Sequence, residues 1–349
     1  MRVITRRDFL QAAGAAAMTT LLGPVPARAQ QPWRFADMHA HLRFRQPNTM
    51  RQFMAAGGML VVAEKVIPDS GFTRWSKDRN TREASREARP GALRQNFDRQ
   101  FAQTIERIRV QELATIDSVD ALDRVLKERR PAIVLASEGA DFLEEDLGYL
   151  ATVRSRGLAH LQILHYRISD IGDISTEEPK FGGLTRFGQR VVRECNRLGI
   201  LVDVAHATSA GIEQVLELST KPVIYSHGHV AAAMPATWMG GVPARAIHAP
   251  LAKRLAEKGG VLGLWPLWIS YPNLNLYSDE LMRMADAYGP AHVGIGTDMD
   301  GLGGRSTLPS YAEFAELPAY LAKRGLNDAG IDGILGGNYI RVLRQAMSA

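Results

Sequence analysis

The chain has 349 residues, of which 46% are hydrophobic and 23% are charged, a composition that predicts a folded globular protein and excludes intrinsic disorder. The formal net charge of +5 includes +3 from the first 29 residues, contributed by Arg2, Arg6, Arg7 and Arg28 against Asp8. No run rich in lysine and arginine follows, so the charge pattern excludes a polyanion-binding surface and we expect no nucleic acid partner.

The first 29 residues are predicted to be a twin-arginine export signal. The stretch "TRRDFLQ" is followed by the small apolar run "AAGAAAMTTLLG", and "ARA" before Gln30 fits a small-x-small cleavage site. The apolar run is shorter than the about 20 residues that a bilayer span requires. We therefore expect the Tat export machinery as a partner, removal of residues 1–29, and a periplasmic or secreted mature chain in which residues 30–349 form a single domain.

Eight short apolar runs in the rest of the chain are predicted to be β-strands. In chain order they are "FADMHAHL" from Phe35, "GGMLVVAE" from Gly57, "PAIVLASEG" from Pro131, "LAHLQILHY" from Leu158, "ILVDVAHAT" from Ile200, "PVIYSHGH" from Pro222, "GGVLGLWPL" from Gly259 and "HVGIGTDMDG" from His292. Amphipathic stretches separate them, which is the pattern of a parallel sheet covered by helices. The alternation predicts the α/β class and a (β/α)8 TIM barrel.

The stretches between the strands carry helix signals. "RFGQRVVRECNRLG" is expected to end as a helix at Gly199, and "SAGIEQVLELST" is expected to begin with Ser209 as the N-cap. The long connection between the second and third strands is predicted to hold additional helix over residues 96–130. Cys195 is the single cysteine of the chain, which excludes an intrachain disulfide, and its helical context predicts a small buried hydrophobe.

Six of the eight predicted strands end in a side chain that can bind metal or transfer protons, which is where TIM barrels carry their chemistry. These residues are His39 and His41, Glu138, His165, His206, His227 and Asp298. Side chains at positions i and i+2 of a strand share a face, so the two imidazoles of "HAH" can reach one point. Burial of so many polar groups without a common partner would be costly. A shared site accounts for all of them.

Each residue taken alone also has an ordinary structural explanation. His206 and His227 could be hydrogen-bonded core histidines, and an isolated His-x-His could be two polar residues at a strand end. Asp298 could be a turn residue in "GIGTDMDGLGG", although Asp300, followed by glycine, fits that role better. The set as a whole favours a metal site.

A metal site with two ions is the prediction for His39, His41, Glu138, His206 and His227. Glu138 is the natural bridge because a carboxylate can give one oxygen to each ion. The nitrogen and oxygen donors favour Zn²⁺, although Mn²⁺, Co²⁺ and Fe²⁺ accept the same ligands. Such a pair would hold a hydroxide ready to attack a carbonyl carbon. Asp298 would carry the proton to the leaving amine, and His165 would donate a hydrogen bond to the oxyanion.

The motifs "SEGAD", "LQILHYR", "FGGLTRFGQRVVRECNRLGILVDVAH", "KPVIYSH", "HVGIGTDMDG" and "GGNYIRVL" stand in this order along the chain. The set resembles the membrane (renal-type) dipeptidases, peptidase family M19, a zinc-dependent branch of the amidohydrolase barrels. The resemblance extends over residues 35–343.

The resemblance implies a role for each matching residue. Glu138 would bridge two zinc ions, His39 would serve the first, and His206 and His227 the second. His165 would polarise the substrate carbonyl, and Asp298 would handle the catalytic proton. An arginine would hold the carboxylate of the dipeptide, and Arg245 in "VPARAIHAPLAKRL" is closest to that position; an exposed arginine at a helix start is the alternative reading of Arg245. A homodimer is compatible with the resemblance.

Three positions depart from the pattern of that family. His41 stands where members usually have aspartate, so the first metal loses a carboxylate ligand and the site one negative charge. His229 is an additional imidazole in "GHVAAAMPATWMGG", which replaces a serine-rich segment. Trp265 in "LWPLW" stands where an aromatic residue with a hydroxyl group usually contacts the substrate. These departures concern the substrate pocket and the first metal.

The leading hypothesis is a binuclear zinc-dependent dipeptidase that hydrolyses the peptide bond of small dipeptides with a metal-bridging hydroxide. The alternative enzyme is another amidohydrolase on the same barrel, which would act on a lactone, a cyclic amide or an N-acyl amino acid. A barrel that binds metal or ligand without catalysis is the third reading, and His165 together with Asp298 argues against it, because a metal store needs neither an oxyanion donor nor a proton shuttle.

Overall fold

The computed structural model describes residues 34–42, 49–78, 81–231, 244–302 and 305–348, so the predicted export signal lies outside the described residues. The strands are β1 (Phe35–Ala40), β2 (Met59–Val66), β3 (Thr73–Ser76), β4 (Thr81–Ala84), β5 (Ala114–Thr115), β6 (Ala132–Glu138), β7 (Leu158–Gln162), β8 (Leu201–Asp203), β9 (Ile224–Ala231), β10 (Ala246–His248), β11 (Val261–Leu264) and β12 (Val293–Ile295).

Helices lie between the strands and after the last one. They are α1 (Met50–Gly57), α2 (Ala92–Val110), α3 (Val119–Glu128), α4 (Gly148–Ser155), α5 (Arg186–Leu198), α6 (Ser209–Leu218), α7 (Ala249–Glu257), α8 (Leu274–Tyr288), α9 (Tyr311–Phe314), α10 (Leu317–Ala322), α11 (Asp328–Asp332) and α12 (Asn338–Met347). Short 3₁₀ turns occupy Asp141–Leu143 and Pro290–His292, and a π-helical turn occupies Gly333–Gly337. No helix in these described ranges has both the length and the apolar character of a membrane span.

Eight parallel strands form the barrel in the order β1, β2, β6, β7, β8, β9, β11 and β12. The first strand meets the end of the last one: Ala40 forms a parallel bridge with Met299, and the amide of Asp298 donates to the carbonyl of His39 at 2.8 Å. Every barrel strand corresponds to one of the eight predicted apolar runs. The predicted (β/α)8 barrel is confirmed.

Helix α5 illustrates how local sequence sets the outer layer. Its buried side chains include Phe187, Val191 and Cys195, which recur at helical spacing and face the sheet. The side chain of Thr185 accepts a hydrogen bond from the third amide of the helix, and Gly199 ends the helix with a φ of 70°. Helix α6 begins in the same way, but its N-cap is Thr208 and the predicted cap, Ser209, is the first helical residue.

The end of the barrel opposite the candidate site is covered by α12, which packs against β1, β7, β8, β11 and β12. Arg341 donates from Nη1 to the carbonyl of Gly259 at 2.8 Å and from Nη2 to that of Ala291 at 2.7 Å. Both carbonyls precede barrel strands, so α12 lies at the N-terminal strand ends. The C-terminal ends are therefore the face available for chemistry.

The connection between β2 and β6 contains more than the helix predicted for residues 96–130. It contains α2 and α3, but also the antiparallel hairpin β3–β4 and the short strand β5, which pairs with β6. Six of the eight hairpin residues are polar and one of the eight is buried, so they lack the apolar alternation by which strands are recognised in a sequence. The prediction of helix over residues 96–130 is correct for most of that range and missed β5, whereas the hairpin lies before that range and no element was predicted for it.

Candidate metal centre

The predicted site residues come together at the C-terminal end of the barrel, and all of them are buried. Glu138 is the last residue of β6, and His227 lies inside β9. His165, His206 and Asp298 each lie three residues beyond the end of β7, β8 and β12. The strands hold the backbone in parallel, so these offsets bring side chains from distant parts of the chain to one level of the barrel.

Glu138 lies at the centre of the imidazoles. Its Oε1 is 3.2 Å from His206 Nε2, 3.5 Å from His39 Nε2 and 3.9 Å from His227 Nε2. Its Oε2 is 3.3 Å from His41 Nε2 and 3.4 Å from His165 Nε2. The two oxygens of one carboxylate thus face two different sets of imidazole nitrogens.

Asp298 follows β12, which adjoins β1 on the side away from β2, and its carboxylate reaches the same cluster. Its Oδ1 is 3.2 Å from His41 Nε2 and 3.8 Å from His39 Nε2. The two imidazole nitrogens of His39 and His41 are themselves 3.2 Å apart, as their positions on one strand face predict. Asp298 therefore offers an oxygen to a metal group in addition to its predicted role in proton transfer.

Three sets of side chains each bring three ligand atoms within 4.8 Å of one another in the described part of the chain: His39, His41 and Asp298; His39, Glu138 and His227; and Glu138, His165 and His206. The sets share members, so they form one extended cluster. The grouping of His206 with His165 differs from the predicted pairing of His206 with His227. His165 thus lies at a position from which it could also contact a metal.

The buried ring of His206 tests whether this cluster fits a metal. Neither Nδ1 nor Nε2 of His206 has a hydrogen-bond partner among the described residues, because the contact of Nε2 with Glu138 is close in distance but not aligned as a hydrogen bond. A buried polar atom without a partner is costly. A metal ion in the cluster would take the lone pair of one of these nitrogens, so the residues present fit a metal.

The charge states of several side chains suit metal binding. Burial alone would raise the pKa of Glu138, but the charges of His165 and His39 and further contacts with His206 and His39 hold this pKa well below its ordinary value. Burial and the charge of Arg245 lower the pKa of His206, and burial, His39 and Arg245 lower that of His227. An ionised carboxylate and neutral imidazoles are the forms that ligate metals.

His41 behaves differently from these imidazoles. Burial would lower its pKa, but hydrogen bonds and charges from Asp298 and Glu138 outweigh burial and raise the pKa to about 9. The two carboxylates thus attract positive charge to the position of His41 Nε2. A proton and a metal cation compete for that position, so the same contacts that raise the pKa would hold a metal.

Further contacts fix the orientation of the rings. Ser226 Oγ lies 3.1 Å from His39 Nδ1 and 3.0 Å from His227 Nδ1, and His41 Nδ1 lies 3.1 Å from the carbonyl oxygen of Lys65. When Nδ1 is occupied in this way, Nε2 is left to face the centre of the cluster. The sequence did not identify Ser226 or Lys65 as part of the site.

Asp69 fixes the orientation of the His165 ring in the same manner, and the sequence did not identify it. Its Oδ1 is 2.7 Å from His165 Nδ1, and its Oδ2 accepts a hydrogen bond from the amide of Tyr166 at 3.2 Å. Asp69 is fully buried and lies three residues beyond the end of β2, the same offset that places His165, His206 and Asp298. The predicted second run ended at Glu64, five residues before Asp69, so the same offset identifies Asp69 only from the observed end of β2 at Val66.

Two site residues adopt a backbone conformation that side chains disfavour. His206 has a φ of 68° and Asp298 a φ of 50°, in the left-handed region that costs a non-glycine residue about 1–2 kcal/mol. Gly301 passes so close to Asp298 Oδ1 and the His41 ring that a Cβ atom at this position would collide with both. The surrounding structure thus imposes the positions of these side chains.

Arg245 is buried beside the cluster, with 4% of its surface exposed, and precedes β10. The alternative of an exposed arginine at a helix start is therefore wrong. Its Nη2 is 2.7 Å from His227 Nε2, its Nη1 donates to Tyr166 Oη at 2.8 Å, and its Cζ lies 4.7 Å from the centre of the Trp265 ring. Its Nε has no partner in the described structure.

Beneath the metal cluster, the barrel interior contains a buried charged group. Lys65 Nζ lies 3.0 Å from Asp203 Oδ2 and 2.8 Å from His160 Nε2. Burial would raise the pKa of Asp203, but Lys65 and His160 lower it far below its ordinary value. The carboxylate of Asp203 is therefore ionised, and Oδ1 also accepts from the amide of Ser226 at 3.1 Å. The charged group thus positions β9 beneath the site.

The comparisons with known proteins agree with this geometry. The sequence profile of membrane dipeptidases, peptidase family M19, matches residues 78–349, and the profile of twin-arginine translocation signals matches residues 3–23. Dipeptidase verJ of Clonostachys rogersoniana is 30% identical over 227 residues, which are 63% of this chain and 56% of that protein. The chain spans about half the length of the curated relatives that it matches.

Solved structures share the fold. A metallopeptidase from Rhodobacter sphaeroides, liganded with a phosphinate mimic of the dipeptide L-Ala-D-Ala, superposes with a TM-score of 0.76 at 18% identity, over 90% of this chain and 99% of that chain. A dipeptidase of family M19 superposes with a TM-score of 0.75 at 19% identity, over 91% of this chain and 100% of that chain. At such low identity these similarities establish the barrel fold.

Proposed function

Since the chain belongs to the membrane dipeptidase family, peptidase family M19, and carries a twin-arginine signal for export, we propose that it is a binuclear zinc-dependent dipeptidase. It would hydrolyse the peptide bond of small dipeptides with a hydroxide held between the two ions. The observation that carries the proposal is the central position of Glu138, whose two carboxylate oxygens each face their own set of imidazole nitrogens within 4 Å. The mature enzyme would begin at Gln30, after removal of residues 1–29.

The assignment of ligands rests on which side chains lie together and not on the division between the two oxygens of Glu138. His39 faces Oε1 together with His206 and His227, but its Nε2 is 3.2 Å from His41 Nε2. We assign His39, His41 and Asp298 to the first zinc, His206 and His227 to the second, and Glu138 to both. All are nitrogen or oxygen donors, which zinc accepts. When bound, the metals would supply an acidified water as nucleophile and polarise the substrate carbonyl.

Asp298 would handle the proton of the reaction. Its Oδ1 lies 3.2 Å from His41 Nε2, at the edge of the cluster, so the carboxylate can accept a proton from the attacking water. The same carboxylate can then deliver this proton to the nitrogen of the leaving amine.

His165 would stabilise the oxyanion as a charged donor. Its Nδ1–H donates to Asp69, so Nε2 can donate to the carbonyl oxygen only when the ring carries both protons. The charges of Asp69 and Glu138 outweigh burial and raise the pKa of His165 above its ordinary value, which favours this doubly protonated form. A positive charge beside the developing oxyanion lowers the barrier.

Arg245 would hold the α-carboxylate of the dipeptide. Its Nη1 is anchored on Tyr166, its Nε is free of described partners, and its Nη2 shares the lone pair of His227 Nε2. That lone pair cannot serve an arginine and a metal at the same time, so with zinc bound Nη2 is available. Nε and Nη2 together form the edge of a guanidinium that pairs with a carboxylate in two parallel hydrogen bonds.

Metal analysis combined with a dipeptide panel tests the proposal. We expect about two zinc ions per chain in the mature protein and hydrolysis of dipeptides that is lost on chelation and restored by zinc. Glu138→Gln should lose both zinc and activity, whereas the exposed Glu257→Gln, in helix α7, should lose neither. Activity that survives thorough chelation, or that Glu138→Gln leaves unchanged, would overturn the proposal.

The same panel separates a dipeptidase from another amidohydrolase. Dipeptides with a free C-terminus should be cleaved and their C-terminal amides should not. In Arg245→Ala the KM for dipeptides with a free C-terminus should rise strongly, so that the preference for them over the amides is lost. Equal cleavage of acids and amides, or a preference for lactones or N-acyl amino acids, would indicate the alternative activity.

A further inference from the structure

The ring of Trp265 lies at the centre of a polar cluster next to the proposed metal site. His229, near the end of β9, has its ring centre 6.0 Å from that of Trp265, and the ring centre of His227 is 5.5 Å away on the metal side. Arg245 stacks on the indole at 4.7 Å. The cluster is therefore continuous with the arginine that would hold the substrate carboxylate.

Two nitrogens of this cluster lack partners although they are shielded from solvent. Neither Trp265 Nε1 nor His229 Nε2 has a hydrogen-bond partner within the described ranges. Buried polar atoms are nearly always paired, and an unpaired one is costly. Two such atoms beside an active site are therefore candidates for hydrogen bonds that form with the substrate.

The chemistry of the two nitrogens selects the kind of partner. The indole N–H of Trp265 can only donate. His229 Nδ1 lies 3.3 Å from the hydroxyl of Tyr271; if this phenol donates to Nδ1, the neutral ring carries its proton on Nε2, which then also donates. Arg245 adds a positive charge and forms no ion pair with any described residue. In that tautomer the two nitrogens are both donors next to a cation, an arrangement that suits a carboxylate.

We propose that Trp265 and His229 form a subsite, the Trp265–His229 subsite, that binds a carboxylate on the side chain of the C-terminal residue of the dipeptide. The inference rests on the proposed function, in which Arg245 Nε and Nη2 take the α-carboxylate. The indole lies directly against that guanidinium, so the substrate groups nearest to it would be those next to the α-carboxylate, which belong to the same residue. The preferred substrates are dipeptides that end in aspartate or glutamate.

Kinetics on zinc-loaded mature enzyme test the subsite, with Ala-Asp, Ala-Glu, Ala-Ala, Ala-Leu and Ala-Lys as substrates. We expect kcat/KM for Ala-Asp or Ala-Glu to exceed that for Ala-Leu and Ala-Lys by about tenfold or more. Trp265→Phe keeps a ring against Arg245 but removes the N–H. It should lower kcat/KM for the acidic substrate about three- to tenfold more than kcat/KM for Ala-Ala, mainly through KM.

Trp268→Phe is the matched control, because it makes the same change in a tryptophan that stacks on Arg305 outside the subsite. It should alter no substrate preference. His229→Gln is the second test and should weaken the acidic preference in the same way, which keeps the inference testable if Trp265→Phe does not fold. Zinc content and circular dichroism show whether each variant is folded.

Two results would contradict the proposed subsite without contradicting the proposed dipeptidase activity. The first is equal cleavage of Ala-Asp and Ala-Leu by the unaltered enzyme. The second is a loss in Trp265→Phe that is the same for every dipeptide, because the indole would then serve a group common to all substrates. If no dipeptide at all is cleaved, including Ala-Ala, the proposed function itself fails.

Discussion

Replacement of Asp69 by asparagine tests the proposed role of His165 as a charged donor. The carboxylate is fully buried and its Oδ1 lies 2.7 Å from His165 Nδ1. Asparagine has nearly the same shape but no charge, so it removes the stabilisation of the doubly protonated imidazole while the packing remains. His165 Nε2 lies 3.4 Å from Glu138 Oε2, so the zinc content of the variant is measured together with its activity.

The magnitude follows from the kind of hydrogen bond that is weakened. A hydrogen bond to a charged group contributes about 1.5–3 kcal/mol, and each 1.4 kcal/mol corresponds to about a factor of ten in rate. We expect kcat/KM to fall by about 10- to 150-fold. The carboxylate raises the pKa of His165, so its loss should also move the alkaline limb of the pH profile to lower pH, where the ring still holds both protons.

A double-mutant cycle with His165→Gln gives the decisive measurement. If Asp69 acts through His165, the double variant Asp69→Asn/His165→Gln should be no slower than His165→Gln alone. Losses that multiply would mean that Asp69 acts independently of His165. An Asp69→Asn enzyme with unchanged kcat/KM would show that His165 needs no charged partner.

Three other predictions concern the charges and the packing around the site. Lys65→Met leaves Asp203 as a buried, uncompensated carboxylate and should lower the free energy of unfolding in urea by about 3–5 kcal/mol. Adding Asp203→Asn should restore part of the lost free energy of unfolding. His41→Asp adds a negative charge at the proposed first metal position and should raise zinc affinity, measured by chelator competition, by at least about tenfold. Gly301→Ala places a methyl group against Asp298 and should lower kcat by about 100-fold with the fold, measured by circular dichroism, retained.

Each of these predictions has a contrary outcome. An unfolding free energy that Lys65→Met leaves unchanged would mean that water or another group compensates Asp203. Equal or weaker zinc binding by His41→Asp would show that the imidazole is the better ligand at that position. A fully active Gly301→Ala enzyme would show that Asp298 can shift without cost to the reaction.

The barrel was largely predictable because its signals are local. A strand such as β6, which is buried on both faces, begins with the continuous apolar run "AIVLA". Helix α5 shows helical spacing of apolar residues together with Thr185 and Gly199 at its ends. The hairpin β3–β4 lacks such signals. Its polar residues pair only because the chain returns on itself, so the pattern of the sequence did not indicate it.

The candidate site likewise contains residues that the sequence indicated and contacts that it did not. The strand-end positions of His39, Glu138 and Asp298 were visible because a parallel barrel brings all C-terminal strand ends together. The contact of Asp69 with His165 joins residues 96 positions apart, and that of Ser226 with His39 joins residues 187 positions apart. No local pattern specifies such pairs.

The sequence by itself determined which residues this protein can use for chemistry: an exported chain, eight strands, and carboxylates and imidazoles at their ends. Only the tertiary structure decided which atoms meet. It placed one oxygen of Glu138 toward His206 and the other toward His41, and it buried Arg245 against the indole of Trp265. The reason is physical, because strand periodicity follows from neighbouring residues, whereas the distances between side chains on different strands follow from the register and closure of the whole barrel.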